Sequence, residues 1–572
     1  MKPGVFFENF ELLANAPNGV QKLRKLILQL AVMGKLVPQD PNDEPANALI
    51  ERIKVKKKRD TKGKDEDESK VSQIVENEQL SLPPSWFLVR LGDLIYSIIG
   101  GGTPSKRNSD YWEGEIPWAS VKDLGKGKYL EHTIDKINEE GIRQSSTNLI
   151  PKGRIIVCTR MGLGKIAINK IDVAINQDLK ALHLCEEIDL NYFYNFYLTQ
   201  NITGNGMTVK GIRQEELLNI LIPLPPLAEQ KRIVSKVDEL MALCDKLEAR
   251  RQKKQELQSK LNSAALDRML NAENQEEFEQ NWQRICENFD LLYDNPENVG
   301  KLRKAILQLA VQGKVVEQNP EDEPASVLVE NIEAEKKNLV KVGKIKKNES
   351  FPEIGTGEIP YDLPESWEWI RLGNLCELIT KGSSPKWQGI SYVEKSDGIL
   401  FVTSENVNNY SVNLDKEKYV EPKFNEIEPR SILKRNDILM NIVGASIGRT
   451  AVYESDKIAN INQAVCLIRV IGQNELVNLR YLLYFFNSST CISYMFDKQV
   501  DNARANLSMG NISKFAIPLP PLEEQKRIVE KVEQLMGLCD ELESKLRKSQ
   551  EDSEKLMEMV VRGLLEGTVA EI

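Results

Sequence analysis

Apolar side chains recur at helical spacing near the start of the chain, and the same pattern returns roughly 280 residues later. Residues 22–32 (KLRKLILQLAV) reappear almost unchanged as residues 301–311 (KLRKAILQLAV). The apolar positions are three or four residues apart, which predicts an amphipathic helix that Gly34 or Gly313 can end. The second helix is expected over residues 285–311. The chain therefore contains an internal repeat of domain size.

Two longer helices are predicted after the two copies of a proline-rich motif, residues 222–234 and 517–529. Proline blocks a helix upstream and presets its first turn, so the helices are expected at Leu227–Leu270 and Leu522–Glu566. Apolar positions in the second helix follow the alternating steps of a coiled-coil seam: Ile528, Val532, Leu535, Cys539, Leu542 and Leu546. Each helix would be roughly 60 Å long. An exposed apolar stripe of that length predicts that the two helices pack on each other.

Between the repeated segments lie two stretches that hardly resemble each other, residues 86–222 and 367–517. Short apolar runs bounded by Gly and Asn predict strands there, at residues 154–158, 165–168, 437–443 and 466–470. One helix follows in each stretch, at residues 190–198 and 478–486. Two variable α+β domains are therefore expected in two similar frames.

The expected organisation alternates helical and variable segments. It comprises a helical region (1–60), a charged linker (61–81), a variable domain (82–222), a long helix (223–270), a central helical region (271–340), a linker (341–362), a second variable domain (363–517) and a second long helix (518–572). In the middle of the chain, a long helix is followed directly by a short helix. The other short helix lies near the start of the chain and the other long helix near its end, so these two are not joined to each other. This connectivity predicts a pseudo-twofold repeat with antiparallel long helices.

Composition excludes several classes of protein. The chain is 41% hydrophobic and 28% charged, no stretch approaches a membrane span, and the start lacks the apolar core of a signal peptide. Eight cysteines without a CxxC pair indicate reduced thiols and a cytoplasmic location. Two histidines make a zinc site or a histidine-based triad unexpected.

The net charge of −9 argues against nonspecific coating of nucleic acid. However, residues 141–171 carry six cations and no acid, whereas residues 271–299 are strongly acidic. A local basic surface on an acidic protein is typical of a selective DNA reader, or of a subunit whose partners supply the remaining positive charge. The alternative is a solvated basic loop without a ligand.

Motifs for catalysis are missing from the sequence. Residues 161–165 (MGLGK) lack the spacing of a nucleotide-binding loop, and no GxGxxG follows a strand. There is also no Asn/Asp-Pro-Pro-Tyr/Phe run of the kind used by amino-methyltransferases. A binding subunit is therefore favoured over an enzyme.

The repeated motifs resemble those of the specificity subunit of type I restriction-modification systems. In the first copy they are residues 84–93 (PSWFLVRLGD), 102–105 (GTPS) and 223–233 (PLPPLAEQKRI). The second copy has residues 365–373 (ESWEWIRLG), 382–385 (GSSP) and 518–528 (PLPPLEEQKRI). The order GSSP departs from GTPS, and the long N-terminal helical region exceeds the minimal version of the family.

The resemblance implies two target-recognition domains, each reading one half of a bipartite, asymmetric duplex target. They would be joined and spaced by the long helices, which dock DNA adenine methyltransferase subunits, two being expected on two equivalent faces. Two restriction/translocase subunits would complete the nuclease. It also implies no cofactor in this chain, because S-adenosylmethionine, ATP and Mg belong to the partner subunits. No membrane partner is expected.

Candidate DNA contacts lie in loops rich in Gly, Arg, Lys, Asn and Ser, residue types that reach bases and phosphates. They are Gly102, Thr103, Ser105, Lys106, Arg107, Arg160, Lys165, Asn176, Gln177, Lys210, Arg213, Ser383, Ser384, Lys386, Ser446, Arg449, Asn462, Gln463, Arg504, Asn506 and Ser508. Shared positions are expected to contact phosphate, and unshared residues beside them to read bases. The alternatives are hairpin turns for the glycines and structural caps for the Asn-Gln pairs.

Two other functions remain open at this level. One is a duplicated coiled-coil scaffold without DNA contact. A scaffold gives no reason for two different variable domains to be held between the same repeated segments. The other is a self-contained methyltransferase with an unusual motif, which the missing Pro-Pro run disfavours. Duplex binding with and without a methyltransferase partner would distinguish them.

Overall fold

The computed structural model describes residues 10–14, 16–60, 82–204, 211–346, 351–497 and 507–566. The chain divides into two compact units, the first made of residues 1–255 and 549–572 and the second of residues 256–548. Both divisions fall inside a long helix, so each long helix has one part in each unit. The predicted linker at residues 61–81 lies outside the described residues.

The first unit combines helices with three small sheets. Its helices are Phe10–Ala14, Gly19–Val32, Ala46–Asp60, Leu91–Leu94, Glu139–Arg143, Leu190–Thr199, Gln214–Leu218 and the start of the first long helix, Leu227–Leu270. Its strands are β1 (Phe87–Arg90), β2 (Ile95–Gly100), β3 (Ile116–Ala119), β4 (Tyr129–Leu130), β5 (Asp135–Ile137), β6 (Leu149–Ile150), β7 (Ile155–Cys158), β8 (Ile166–Asn169), β9 (Val173–Ile175), β10 (Leu179–Leu184) and β11 (Leu221–Leu224). The sheet orders are β1-β11, β2-β10-β7-β8-β4 and β5-β3-β9-β6.

The second unit has the same kinds of element. Its helices are Gln275–Glu287, Phe289–Leu292, Pro296–Val311, Ala325–Lys341, Leu372–Leu375, Lys423–Ile427, Leu479–Phe486, Ser489–Asp497, Met509–Ser513 and the start of the second long helix, Leu522–Glu566. Its strands are β12 (Glu368–Arg371), β13 (Cys376–Lys381), β14 (Tyr392–Val393), β15 (Ile399–Val402), β16 (Tyr419–Val420), β17 (Ile438–Asn441), β18 (Thr450–Val452), β19 (Ala459–Ile461), β20 (Val465–Val470) and β21 (Ala516–Leu519). The sheet orders are β12-β21, β13-β20-β17-β18 and β14-β16-β15-β19.

The continuous apolar run of β7 is explained by burial on both faces of its sheet. Ile155 and Val157 point into a core shared with the helices of the unit, whereas Ile156 and Cys158 point into a second core. Successive strand residues face opposite sides of a sheet, so a strand covered on both faces is apolar throughout. The mixed α/β domains expected from the sequence are therefore present.

Part of the apolar seam of the first long helix is buried in the core of the first unit. In the first unit, Ile233, Val237 and Leu240 are buried in the same core as Leu23 of the short helix Gly19–Val32. The far end of the second long helix contributes Met557 to that core. These positions of the first long helix therefore share one core with the short helix and with the far end of the second long helix.

Both short helices bind the two long helices through polar side chains. In the first unit, Arg24 pairs with Asp245 at 2.7 Å, and Lys22 pairs with Glu554 at 2.9 Å. Asp245 belongs to the first long helix and Glu554 to the second. Each short helix thus has its own long-helix partners within its unit.

In the second unit, Arg303 pairs with Asp540 at 2.8 Å, and Lys301 donates to the Ser259 hydroxyl at 2.7 Å. Arg303 and Lys301 occupy the places of Arg24 and Lys22 in the repeat. The equivalent helix therefore makes equivalent contacts.

The prediction of one helix over residues 285–311 was wrong. The structure divides this range among three helices, with one break at Asn288 and another between Leu292 and Pro296. At the second break the Asn295 side chain accepts a hydrogen bond from the Asn298 backbone N–H at 3.0 Å. Asn caps a helix start, and Pro lacks the N–H that a continuous helix would need, so a new helix begins there.

Two sequence-based expectations concern cysteines and membranes. All eight cysteines are free, and all except Cys286 are buried. Within the described ranges, no helix has the length and apolar run that crossing a bilayer requires.

Candidate nucleic-acid interface

A buried carboxylate fixes each variable domain to the start of its long helix. Glu229 accepts hydrogen bonds from the Trp86 indole N–H at 2.9 Å and from the Gln39 amide at 2.6 Å. Glu229 is 1% exposed, and this burial raises its pKa. Trp86 and Glu229 both come from the repeated motifs, so those motifs meet in the fold.

The second unit repeats this arrangement. Glu524 accepts from the Trp367 indole N–H at 2.9 Å and from the Gln318 amide at 2.6 Å. Its side chain is fully buried, and burial again raises its pKa. The two tryptophans are therefore buried anchors of the core.

The neighbouring motif residues add further contacts. Arg232 forms two hydrogen bonds with Asp43, at 3.1 and 2.7 Å, while Gln230 accepts from the Asp189 backbone N–H at 2.7 Å. Arg527 and Asp322 form the corresponding pair in the second unit. Residues 229–232 thus connect the start of the first long helix to the variable domain through Asp189, and to the segment before the helix Ala46–Asp60 through Asp43.

Four candidate segments of the first domain meet beside the ends of β7 and β9. A Cβ on Gly101 would overlap the Ile175 carbonyl, and the Gly102 N–H donates to that carbonyl at 2.9 Å. The Thr103 hydroxyl bonds to the Gln177 side chain. The loop after β2 therefore lies directly on the turn that contains Asn176 and Gln177, because glycine permits this close approach.

The Arg160 turn joins the same group. The Thr159 N–H donates to the Asp178 carbonyl at 2.9 Å, and the Ile212 N–H donates to the Thr159 carbonyl at 3.0 Å. Arg160 is exposed and lies 3.9 Å from the Asp178 carboxylate. A single surface thus carries loops that are far apart in sequence. We call this surface, made of residues 101–108, 159–164, 176–178 and 211–213, the first loop face.

The second domain brings its candidates together in the same way. A Cβ on Gly382 would overlap the Ile461 carbonyl, so the loop after β13 lies on the turn that contains Asn462. The Ile442 N–H donates to the Ala464 carbonyl at 2.9 Å, which places the turn after β17 against that segment. We call residues 382–389, 443–449 and 462–464 the second loop face.

Six candidate cations are exposed on the two loop faces. They are Lys106, Arg107, Arg160, Arg213, Lys386 and Arg449. Exposed Arg and Lys in loops on a rigid frame can reach phosphates and base edges.

Other candidates are engaged within the protein. The Lys165 ammonium donates to the Val121 carbonyl at 3.1 Å, and the Asn176 side chain bonds to Asp178. Ser508 accepts from the Asn511 N–H as a helix cap, and Ser383 accepts from the Gln388 amide. These contacts position the loops.

The remaining candidates divide into two groups. Ser105, Ser384, Ser446 and Gln463 lie on the loop faces. Lys210, Arg504 and Asn506 lie outside the described residues. Among the described residues, no group of three His, Cys, Asp or Glu side chains is placed to hold a metal ion.

Sequence reasoning missed one residue of the second loop face. Trp387 is 76% exposed, the most exposed large apolar side chain in the described part of the chain. The repeat contained a signal, because Trp387 stands where the first copy has the candidate Lys106 when Trp86 and Trp367 are aligned.

Comparison with known proteins identifies the family of the chain. The profile of the type I restriction modification DNA specificity domain matches residues 83–259 and 364–550. The chain is 31% identical to the type I restriction enzyme EcoEI specificity subunit of Escherichia coli, over 93% of this chain and 92% of that protein. It is also 31% identical to the EcoAI specificity subunit of Escherichia coli, with 92% and 90% covered.

The chain belongs to the family of type I restriction-modification specificity subunits. Among solved structures, the HsdS subunit from Thermoanaerobacter tengcongensis aligns at 18% identity and a TM-score of 0.42, covering 85% of this chain and 98% of that chain.

Proposed function

We propose that this chain is the DNA-reading subunit of a type I restriction-modification complex. The domain at residues 82–222 reads one half of a bipartite, asymmetric duplex target, and the domain at residues 363–517 reads the other. The observation that carries the proposal is that one set of frame contacts, represented by Trp86–Glu229 and Trp367–Glu524, holds two different loop faces. Divergent loops on a constant frame suit a protein that reads two different sequences.

We also propose that the long helices form an antiparallel spacer with pseudo-twofold symmetry. Support comes from the short helices. Arg24 contacts Asp245 in the first half of the first long helix, and Lys22 contacts Glu554 in the second half of the second long helix. Arg303 contacts Asp540 in the first half of the second long helix, and Lys301 contacts Ser259 in the second half of the first long helix. This exchange is what a twofold relation between antiparallel helices requires.

Repeated exposed leucines support docking of methyltransferase subunits on the helices. Leu243 and Leu538 occupy equivalent positions of the two long helices, as do Leu261 and Leu556, and all four are exposed. Isolated exposed leucines are ordinary, but the same pair on both copies indicates two equivalent docking surfaces. The occupant is the DNA adenine methyltransferase subunit, with restriction/translocase subunits joining the complex.

The chemistry of the complex resides in those partners. S-adenosylmethionine, ATP and Mg bind to them, and this chain contributes recognition without catalysis. The support is the lack of catalytic motifs in the sequence and the use of the motif carboxylates, such as Glu229, as buried structural groups.

A domain exchange tests the proposal. Residues 86–222 are replaced with the corresponding segment of a related specificity subunit, keeping Glu229 and Gln230 in place. Sites are then selected from a random duplex pool with the methyltransferase partner present. One half of the target should change, and the other should stay as before.

The reciprocal exchange of residues 367–517 is the matched control, since it should alter only the other half. If either exchange changes both halves or neither, the domains do not read separate half-sites. Preference for no duplex at all, with an intact methyltransferase complex, would favour the scaffold alternative.

A further inference from the structure

Met161 and Gly444 occupy equivalent places on the two loop faces, and backbone hydrogen bonds establish the equivalence. The N–H groups of Thr159 and Ile442 each donate at 2.9 Å to the residue that follows the Asn-Gln pair of their domain. The carbonyls of the same two residues each accept at 3.0 Å from the residue two positions before the short helix that precedes β11 or β21. Met161 and Gly444 both lie two residues further along the chain.

The backbone at this place has the left-handed conformation in both domains. The φ angle is +46° at Met161 and +71° at Gly444. Glycine adopts this conformation readily, whereas a residue with a bulky side chain is strained in it. Of the five described residues other than glycine with positive φ, three are Asn, which tolerates it, and Tyr410 packs on Tyr484. Met161 thus keeps a strained conformation at a place that the second domain gives to glycine.

The residues next to Met161 hold the turn in place. A Cβ on Gly162 would lie 2.6 Å from the Val121 side chain, so the backbone packs closely there. The Lys165 N–H donates to the Gly162 carbonyl at 3.1 Å, and its ammonium donates to the Val121 carbonyl at 3.1 Å. Met161 itself is 63% exposed, more than any other large apolar side chain described in the first unit. Its side chain therefore projects from a fixed turn into solvent.

Burial within the chain does not account for a strained methionine at this place. Backbone strain in folded proteins concentrates at sites that bind ligands. A DNA duplex offers apolar surfaces to such a side chain, namely the thymine methyl group and the faces of bases at a step. Methionine is unbranched and polarizable, so it can adapt to either surface.

We infer that Met161 makes an apolar base contact that determines specificity in the first half-site, and that the second domain, with Gly444, lacks this contact. The inference rests on the proposed DNA-reading function. It adds an apolar contact to a loop face whose sequence-predicted contacts are all glycine or polar residues.

The test uses the full-length chain with its methyltransferase partner and the target selected from a random duplex pool. Met161→Gly should lower affinity for this target roughly 10-fold, within the range that one lost base contact gives. Glycine removes the backbone strain together with the side chain, so the variant should unfold at a temperature no lower than that of the wild type. Weaker DNA binding without loss of stability would not follow from a merely structural role.

Two variants serve as controls. Met161→Leu keeps an apolar side chain of similar volume and should retain most of the affinity. Leu198→Ala is the matched control, because Leu198 is 44% exposed but lies on the helix Leu190–Thr199, outside the first loop face. The salt dependence of affinity should be the same for Met161→Gly as for the wild type, since no phosphate contact is lost.

Site selection and modified duplexes locate the contact. Met161→Gly should relax the base preference at one position or two adjacent positions of the first half-site and leave the second half-site unchanged. If Met161 packs on a thymine methyl, uracil at that position weakens the wild type and not Met161→Gly. If it inserts at a base step, 2-aminopurine at that step becomes brighter on binding the wild type only. Either result supports the inference.

Three other outcomes count against it. Wild-type affinity and unchanged selected sites for Met161→Gly, with Arg160→Ala weakened, would overturn the role of Met161 while leaving DNA reading intact. A Met161→Gly chain that unfolds at a lower temperature and loses preference in both half-sites would show that Met161 acts through the fold. Absence of any duplex preference in the wild-type complex would overturn the proposed function and this inference with it.

Discussion

The Trp86–Glu229 hydrogen bond should contribute strongly to the free energy of unfolding of the first variable domain. Trp86→Phe removes the indole N–H and leaves one oxygen of a buried carboxylate without its donor. A lost hydrogen bond to a charged group costs about 1.5–3 kcal/mol. The smaller ring leaves a cavity that costs on the order of 1 kcal/mol more. The sum, about 2.5–4 kcal/mol, is a large part of the 5–15 kcal/mol by which a typical domain is stable.

Amide hydrogen exchange followed by mass spectrometry can measure this loss separately in each unit. Peptides from β7 and β10 should lose roughly 100-fold protection in Trp86→Phe, since about 2.7 kcal/mol corresponds to two powers of ten. Peptides from β17 and β20 of the second unit should retain their protection. Trp367→Phe should give the reverse pattern, and the exposed Trp282→Phe should affect neither set.

The loss should depend on pH in a defined direction. Because burial raises the pKa of Glu229, its contribution to the free energy of unfolding is largest below the usual carboxyl pKa and declines as pH rises through the raised folded value. The Trp86 hydrogen bond opposes that rise. Without it the pKa rises further, so Trp86→Phe should be less destabilising at about pH 4 than at about pH 7.5.

Two results would refute this reasoning. One is a loss below about 1 kcal/mol, no larger than an exposed substitution usually gives. The other is a loss that grows as pH falls, which would mean that the charged carboxylate is not the group left unpaired. A double-mutant cycle with Glu229→Gln would then locate the interaction that was misassigned.

Three further predictions concern DNA. Arg160→Ala and Arg449→Ala should each weaken specific duplex binding, by about 1–3 kcal/mol if the side chain is bidentate to guanine and less for a phosphate contact; unchanged affinity and salt slope in both variants would show that these turns face away from DNA. Matched insertions of one heptad in both long helices should lengthen the nonspecific gap of the target by about three base pairs, because seven helical residues rise roughly 10 Å; a constant gap in selected sites would assign the spacing to the partners. The purified chain should transfer no labelled methyl group to a duplex, and transfer by a preparation shown free of partner would contradict its proposed non-catalytic role.

Patterns local to a segment predicted most of the secondary structure. The two long helices begin and end where the proline motifs and apolar steps indicated, at Leu227–Leu270 and Leu522–Glu566. Predicted strands such as residues 154–158 and 466–470 correspond to β7 and β20. These features follow from spacing along the chain, because helix and strand periods are visible without knowing any partner. The break at Pro296 was missed because apolar spacing continued across a capping site.

The loop faces show the limit of such reasoning. The sequence identified loops with suitable side chains, but it could not distinguish Arg160, which is exposed, from Lys165, whose ammonium binds the Val121 carbonyl. It also gave no measure of how far Trp387 projects. Side-chain direction in a loop depends on what packs behind it, and that information is spread over distant parts of the chain.

By itself the sequence determined the duplication, the helix and strand positions, and the family, because each depends on spacing or on motifs read along the chain. The tertiary structure decided which motif residues meet. Trp86 and Glu229 are separated by 143 residues, and their contact explains why both motifs recur. It also decided that Gly101 lies on Ile175 and Gly382 on Ile461, which assembles each loop face. Such contacts depend on how the chain packs, and packing brings together residues whose sequence separation carries no sign of their proximity.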